Sequence, residues 1–384
     1  MNSIRELGPV CDTIAGWLTA PAPQNPNWSP ETWETFQFVC RVHGVAPFLC
    51  EKLARCAWLD EATSTWLADQ LDLNRRRIEK MQAELAAILA VFAANELPLL
   101  PLKGSILTAA YYGEPGWRPM ADLDLLIRPQ DFARAAALLN QLGYGQTVVH
   151  WKHTEFSKPE NRRVVSQAGE HPDNPRGLEL HQHCRETFGG PTVELTNLMW
   201  ANAAPGTLLG EPAMRLKPEA LWLHLLVHAT YHLWQGRGRL IHLLDLALVT
   251  PHLTEPAAYL NAVDARFTYP ALAMLHNYFP SGLDVEVLAA QQAQLSPRFQ
   301  SWVASLNLVN TSYLNPTPAG PYLFKALRFS AGRPREMAQA LRFAFLPDLT
   351  EIALDHPRLA QSPVPWLGYF LLPVDWWQRL VRRK

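Results

Sequence analysis

The chain has no uninterrupted apolar run of the eighteen or so residues that a membrane-spanning helix requires. Its opening, Met1-Asn2-Ser3-Ile4-Arg5-Glu6, lacks the basic start and continuous apolar stretch of a secretory signal. These two absences predict a cytoplasmic protein with no transmembrane segment. Charge of one sign is also missing: 34 Lys and Arg face 35 Asp and Glu. That balance gives no global electrostatic footprint for nucleic acid, which usually favours a clustered positive surface, while a local patch and a nucleic acid acceptor remain open. Cysteine is sparse, with five residues and no Cys-x-x-Cys pair, and the odd count argues against a disulfide framework. Cys11, Cys40, Cys50, Cys56 and Cys184 therefore read as reduced thiols, mostly buried. There is no internal repeat and no low-complexity tract.

What remains is an ordinary globular composition, 48% hydrophobic and 18% charged, in 384 residues, enough for two or three cores. Tryptophan (14) and proline (32) are plentiful, and both concentrate outside residues 96–190. They suggest aromatic helical packing broken by rigid turns. Apolar spacing of three and four through Trp33-Phe36-Val39-Cys40 and Leu85-Ile88-Leu89-Phe92 predicts helices over 31–95. Within them Arg75-Arg76-Arg77 reads as a solvated face. From 96 to 190 the pattern shifts to short strands and helices, with strands expected near 97–102, 123–128, 147–150, 154–157, 162–167 and 178–183. Beyond Gly189-Gly190-Pro191 the pattern returns to helix, most clearly over 218–250, where Pro218 suits a first turn. A further helical group covers about 256–345. The organisation expected is a helical N-terminal domain (1–95), a mixed-sheet core (96–190) and a helical C-terminal domain (191–384), an α+β class.

Chemistry concentrates between residues 102 and 183. Lys103-Gly104-Ser105 ends a strand and opens an apolar helix, whose free N–H groups and positive end suit a phosphate. Gly104 is expected to let the phosphate approach the backbone, and the Ser105 hydroxyl to help hold it. Asp122 and Asp124 stand two apart in Leu123-Asp124-Leu125-Leu126-Ile127, so in a strand both carboxylates leave one face while Leu123 and Leu125 enter the core. Glu179, between Leu178 and Leu180, supplies a third acid. Three acids at one place suit magnesium, a hard cation usually held by carboxylates and substrate phosphates.

Gly-Ser, then Asp-x-Asp, then an acid between apolar residues is similar to the pattern of the DNA-polymerase-beta-like nucleotidyltransferase superfamily. More narrowly, Leu102-Lys103-Gly104, Tyr111-Tyr112, Arg118-Pro119-Met120-x-Asp122-x-Asp124-Leu125-Leu126, Gly143-Tyr144 and Glu179-Leu180-His181 resemble the bacterial family of uncharacterised nucleotidyltransferases. The resemblance implies a small mixed-sheet nucleotidyltransferase core flanked by helical domains, and an NTP substrate, ATP included, handled with two Mg2+ ions. It implies Asp122, Asp124 and Glu179 as metal ligands and catalytic groups. Lys103, Gly104, Ser105, Arg118 and His181 are implied around the nucleotide. The acceptor stays open among a small molecule, a peptide and a protein.

Other polar residues need weighing. Arg118 reads either as a phosphate contact or as a loop brace pairing with Asp122 or a helix end. His224, His228 and His232, spaced by four, form one stripe along a helix. Zinc is disfavoured there, because such sites need three or four ligands and no Glu lies within His228-Ala229-Thr230-Tyr231-His232. The stripe is instead assigned to the nucleotide cleft through His228 or His232, with interhelical packing as the alternative. His181 and His183 are placed on the strand face of Glu179. Asp245 is expected to pair with Arg237, Arg239 or a histidine. The basic, aromatic segment Trp366 to Lys384 suits core packing better than a membrane surface, because Pro373 breaks it.

Two classes of function follow from this pattern. One is magnesium-dependent transfer of an NMP to a hydroxyl, phosphate or protein side chain with release of pyrophosphate. The other is a catalytically idle nucleotide-sensing or partner-binding module of the same fold. Transfer of the terminal phosphoryl group by the same site is a third possibility.

Overall fold

The computed structural model describes residues 4–150, 152–166, 170–279, 283–315, 322–345, 365–370 and 372. The expected basic aromatic segment lies, beyond residue 372, outside the described residues. The chain begins with α1 (Ile4–Thr19), α2 (Pro30–His43), α3 (Ala46–Leu53) and the long α4 (Glu61–Ala94). Local sequence sets their ends. The Ser29 side chain accepts from Thr32 N to start α2, Gly44 closes that helix at φ 70°, and Asp60 accepts from Thr63 N to start α4. Trp17, Trp28 and Trp33 gather around Phe36, with Trp58 against Trp17 and Trp33, which packs α1 against α2.

The next segment builds the sheet from β1 (Leu100–Pro101), β2 (Asp122–Leu126), β3 (Gly145–Val149), β4 (His153–Ser157) and β5 (Gly177–His181), with α5 (Lys103–Ala110) and α6 (Phe132–Gln141) between strands. Their spatial order is β1-β2-β5-β4-β3. β2 and β5 run parallel, while every other pairing is antiparallel. This is the small mixed sheet expected. Leu123, Leu125, Leu178, Leu180 and Phe156 are buried on one face and enter a core continuous with the helices on both sides. The alternation leaves the opposite face of β2 and β5 to polar side chains.

The structure departs from the expected pattern in two places. Residues 162–166 form no strand; Asn174 Oδ1 accepts from Val165 N and Ser166 N, so a side chain satisfies backbone that a neighbouring strand would otherwise pair. Around and beyond Pro191 the chain does not go straight to helix. It forms β6 (Arg185–Thr187) with β7 (Thr192–Glu194), the short α7 (Thr196–Ala201), and a hairpin of β8 (Ala203–Leu208) and β9 (Glu211–Leu216). Pro205, Gly206 and Pro212 hide the strand alternation there, yet Met214 N donates to Leu99 O beside β1.

Helices then resume with α8 (Pro218–Gln235) and α9 (Leu240–Val249), joined by a turn in which Gly236 takes φ 77°. They are followed by α10 (Pro256–Leu260), α11 (Tyr269–Tyr278), α12 (Val285–Ala293), α13 (Pro297–Ala304), α14 (Tyr322–Phe329) and α15 (Pro334–Phe345). Among the described residues no helix is long and apolar enough to cross a membrane.

Candidate active site

Strand register brings the acids together. Asp124 lies directly opposite Glu179 across the parallel β2–β5 pair, and Glu179 lies opposite Glu155 on β4. Asp122 precedes Asp124 by two on the same face; two residues beyond Glu179, His181 stands opposite His153. His181 Nε2 is 3.1 Å from Asp124 Oδ1 and 3.3 Å from Glu179 Oε2, and His153 Nδ1 is 3.3 Å from the same Glu179 oxygen. His153, Glu179 and His181 each present a possible ligand atom within 4.8 Å of the other two.

The turn that opens α5 is tied to this face. Lys103 Nζ donates to Asp124 Oδ1 at 2.5 Å, and Lys103 itself adopts φ 45°, a conformation uncommon for a side-chain-bearing residue and typical of functional turns. Leu102 N donates to Asp124 O at 2.9 Å, and Ser105 Oγ, fully buried, accepts from Asp124 N at 3.0 Å. Three bonds thus fix Asp124 against the turn.

Burial amplifies the charges. Desolvation alone would raise the Asp124 carboxyl, but Lys103 and the His181 hydrogen bond hold it well below the ordinary carboxylate range. Burial likewise opposes ionisation of Glu179, and the bond from His181 brings its carboxyl below the usual value. Asp122 goes the other way: desolvation, then repulsion from Asp124 and Glu179, lifts it well above that range. The Lys103 ammonium is disfavoured by burial and rescued by Asp124, Glu179 and Asp122, which leave it firmly charged. His153, chiefly through desolvation, is pulled down to about 4 and is neutral near pH 7.

Asp122, Asp124, Glu179, Lys103 and His181 therefore meet in one place. The other residues singled out from sequence are placed differently. Arg118 donates from Nε and Nη2 to the two oxygens of Asp245, each at 2.7 Å, and from Nη1 to Pro119 O. Tyr112 donates to Asp245 as well. A carboxylate inside apolar α9 needs a charged partner, and Arg118 supplies it as a brace, while Asp245 does not pair with Arg237 or Arg239. Gly104 leaves room for side chains: a Cβ there would lie 2.6 Å from Arg118 Nη1 and 2.7 Å from Met120 Sδ. Its lack of a side chain is explained by this packing, and the Ser105 hydroxyl by its bond to strand β2. His183 falls past the end of β5 and, with Lys103, His181, Glu186 and His224, lines a cavity of about 10 Å3, room for one water and not for a nucleotide. His228 and His232 turn toward Glu186 of β6 and His242 of α9.

Sequence reasoning missed Arg77. It lies on α4 with 3% of its surface exposed, and donates to the carbonyls of Met120, Ala121, Asn174 and Pro175. These carbonyls belong to the segments that lead into β2 and β5, so one side chain sets the approach of both acid-bearing strands. A basic triplet on a helix carried no signal separating Arg77 from Arg75 and Arg76, which pair on the surface with Glu114 and Asp72.

Residues 29–269 match the family model described as uncharacterised nucleotidyltransferase. The chain belongs to that family. No curated protein matches it. Among solved structures it is similar to the antibiotic-resistance factor ANT(2'')-Ia, at 15% identity and a TM-score of 0.35, over 52% of this chain and 98% of that one. It is also similar to an antigenic nucleotidyltransferase-like protein from Paracoccidioides brasiliensis, at 16% identity and a TM-score of 0.36, over 55% and 93% respectively. Neither likeness bears on the chemistry of this site.

Proposed function

We propose that this nucleotidyltransferase moves an NMP from an NTP to a hydroxyl, phosphate or protein side chain, releasing pyrophosphate, with two magnesium ions held by Asp122, Asp124 and Glu179. The observation that carries this reading is the convergence of three carboxylates on one strand face beside the buried Lys103. Burial first, and then repulsion from Asp124 and Glu179, disfavours the ionised Asp122 carboxyl, and a pair of hard cations relieves both. The all-oxygen donor set fits magnesium. When bound, such ions neutralise charge on the entering and departing oxygens and orient the phosphates.

The chain's own residues supply the rest. Lys103, fixed beside Asp124 in a dry setting, offers a preorganised positive charge for the oxyanion that develops as the α–β bridging P–O bond breaks and the new acceptor–phosphorus bond forms. Glu179, ionised and steadied by His181, is the group placed to receive the acceptor's proton. Ser105 and Leu102 keep Asp124 in position, while Arg77 aligns both strands. The nucleotide enters from the half-exposed side of Asp122 and Glu179, because the interior cavity beyond Lys103 is too small for it.

The test is a titration of the purified protein with each magnesium–NTP, followed by assay of pyrophosphate in the presence of candidate acceptors. The expected outcome is acceptor-dependent release that disappears in Asp124→Asn. Tight nucleotide binding with no turnover on any acceptor would instead support the idle, nucleotide-sensing module.

A further inference from the structure

Apart from His153, Glu179 and His181, the described residues contain one other close grouping of potential metal ligands. His228 and His232 lie one turn apart on α8, and the Gly236 turn folds α9 back so that His242 faces them. Each presents a ring nitrogen within 4.8 Å of the other two. The rings of His228 and His232 have centroids 4.4 Å apart, and those of His232 and His242 4.7 Å. Nδ1 of every one of the three is shielded from solvent and has no hydrogen-bond partner. A buried polar nitrogen left unpaired costs about 1–3 kcal/mol, so the grouping is costly unless partners reach these rings.

We propose that His228, His232 and His242 form a three-histidine site for a divalent transition cation of the zinc class, separate from the carboxylate site. Imidazole nitrogen suits such an ion and not magnesium, and three histidines with a fourth position left to water make an established zinc geometry. Zinc–nitrogen bonds of about 2.1 Å put tetrahedral ligand atoms roughly 3.4 Å apart, so the rings have to draw together modestly on loading. All three rings are only partly buried, which leaves a path for the ion and a side for its water.

A metal-ligating histidine ordinarily has its second nitrogen oriented by a carboxylate, and that partner is present. Glu186, buried on β6, has Oε1 3.5 Å from His228 Nδ1, and its other oxygen is without a hydrogen-bond partner. A proton on Nδ1 directed at that carboxylate leaves Nε2 of His228 to ligate. Glu186 also forms an ion pair with Lys152. The third ligand comes from a different helix, which is why the stripe of histidines on α8 looked insufficient for zinc when read alone.

The test uses the full chain, stripped of metal by chelation and then dialysed against Co2+ or Zn2+. We expect one equivalent retained outside the carboxylate site, intense visible cobalt bands of tetrahedral type, and a zinc-induced rise in melting temperature. His232→Gln and His242→Gln should each weaken cobalt binding by at least tenfold with an unchanged far-ultraviolet spectrum, while Asp124→Asn keeps it. X-ray absorption at the zinc edge of the unaltered protein should show three imidazole ligands, a readout that does not depend on any variant folding. Failure of the folded protein to retain either ion, a first shell of oxygen alone, or cobalt bands unaltered in both histidine variants would overturn the site. Loss of binding in Asp124→Asn would do so too, by placing the ion on the carboxylates.

Discussion

Asp122 and Asp124 are chemically identical, two residues apart on the same strand, and yet their surroundings push them in opposite directions. Asp124, ionised beside Lys103 and His181, adds stability above pH about 4 that is lost as the pH falls through its depressed value. Asp122, held above the ordinary range, contributes stability that is full below pH about 4 and is lost as the pH rises through its raised value. Asp122→Asn should therefore stabilise the protein in the presence of a chelator, by on the order of 1 kcal/mol, while transfer falls by at least about a hundredfold. Chemical denaturation with EDTA, paired with a transfer assay, checks both halves; a destabilised variant, or one with full turnover, contradicts the assignment. At the brace, Asp245→Asn breaks a buried bidentate pair and leaves Arg118 uncompensated, which should cost about 3–5 kcal/mol in the same denaturation experiment. A loss below 1 kcal/mol would mean that Arg118 finds another partner.

The elements of the site were legible to different degrees. Period-two alternation around Asp122-Leu123-Asp124-Leu125 and Leu178-Glu179-Leu180 gives strand, face and acid together, because a half-buried strand writes its orientation into every second residue. Nothing local records what a side chain meets from a distant element. The four carbonyls that Arg77 reaches are 43 to 98 positions away, and His242 joins His232 only because α9 folds back. The hairpin Ala203–Leu216 was hidden for another reason: two prolines and a glycine interrupt its alternation on an exposed edge. Arg77→Ala gives a test at this scale. With four buried carbonyls deprived of their donor, stability should drop by about 2–4 kcal/mol. Because both acid-bearing strands lose a common anchor, kcat should fall more than KM rises, measured at a temperature where the variant is still folded. An unaltered kcat in the folded variant would reduce Arg77 to a purely structural role.

For the molecule as a whole, the distribution of histidine matters more than the near-zero net charge. His43, His153, His224 and His232 are all kept neutral chiefly by desolvation, at about 3, 4, 3 and 3. Each binds a proton in the unfolded chain below pH about 6.5 that the folded chain refuses, so stability is full above that pH and declines as the solution is acidified. Every such group steepens the decline by about 1.4 kcal/mol per pH unit. The melting temperature should therefore fall steeply between pH 7 and pH 5, before the carboxylates titrate; a flat profile across that interval would show that the histidines gain protons without unfolding.

The most direct test of the central claim is the fate of label from NTPs marked at the α- or the γ-phosphorus, incubated with the protein, magnesium and cell extract. The account predicts that α-label becomes attached to an acceptor while γ-label leaves in pyrophosphate, and that Asp124→Asn abolishes the attachment. Attachment of γ-label, or α-label transferred equally well by Asp124→Asn, would contradict it.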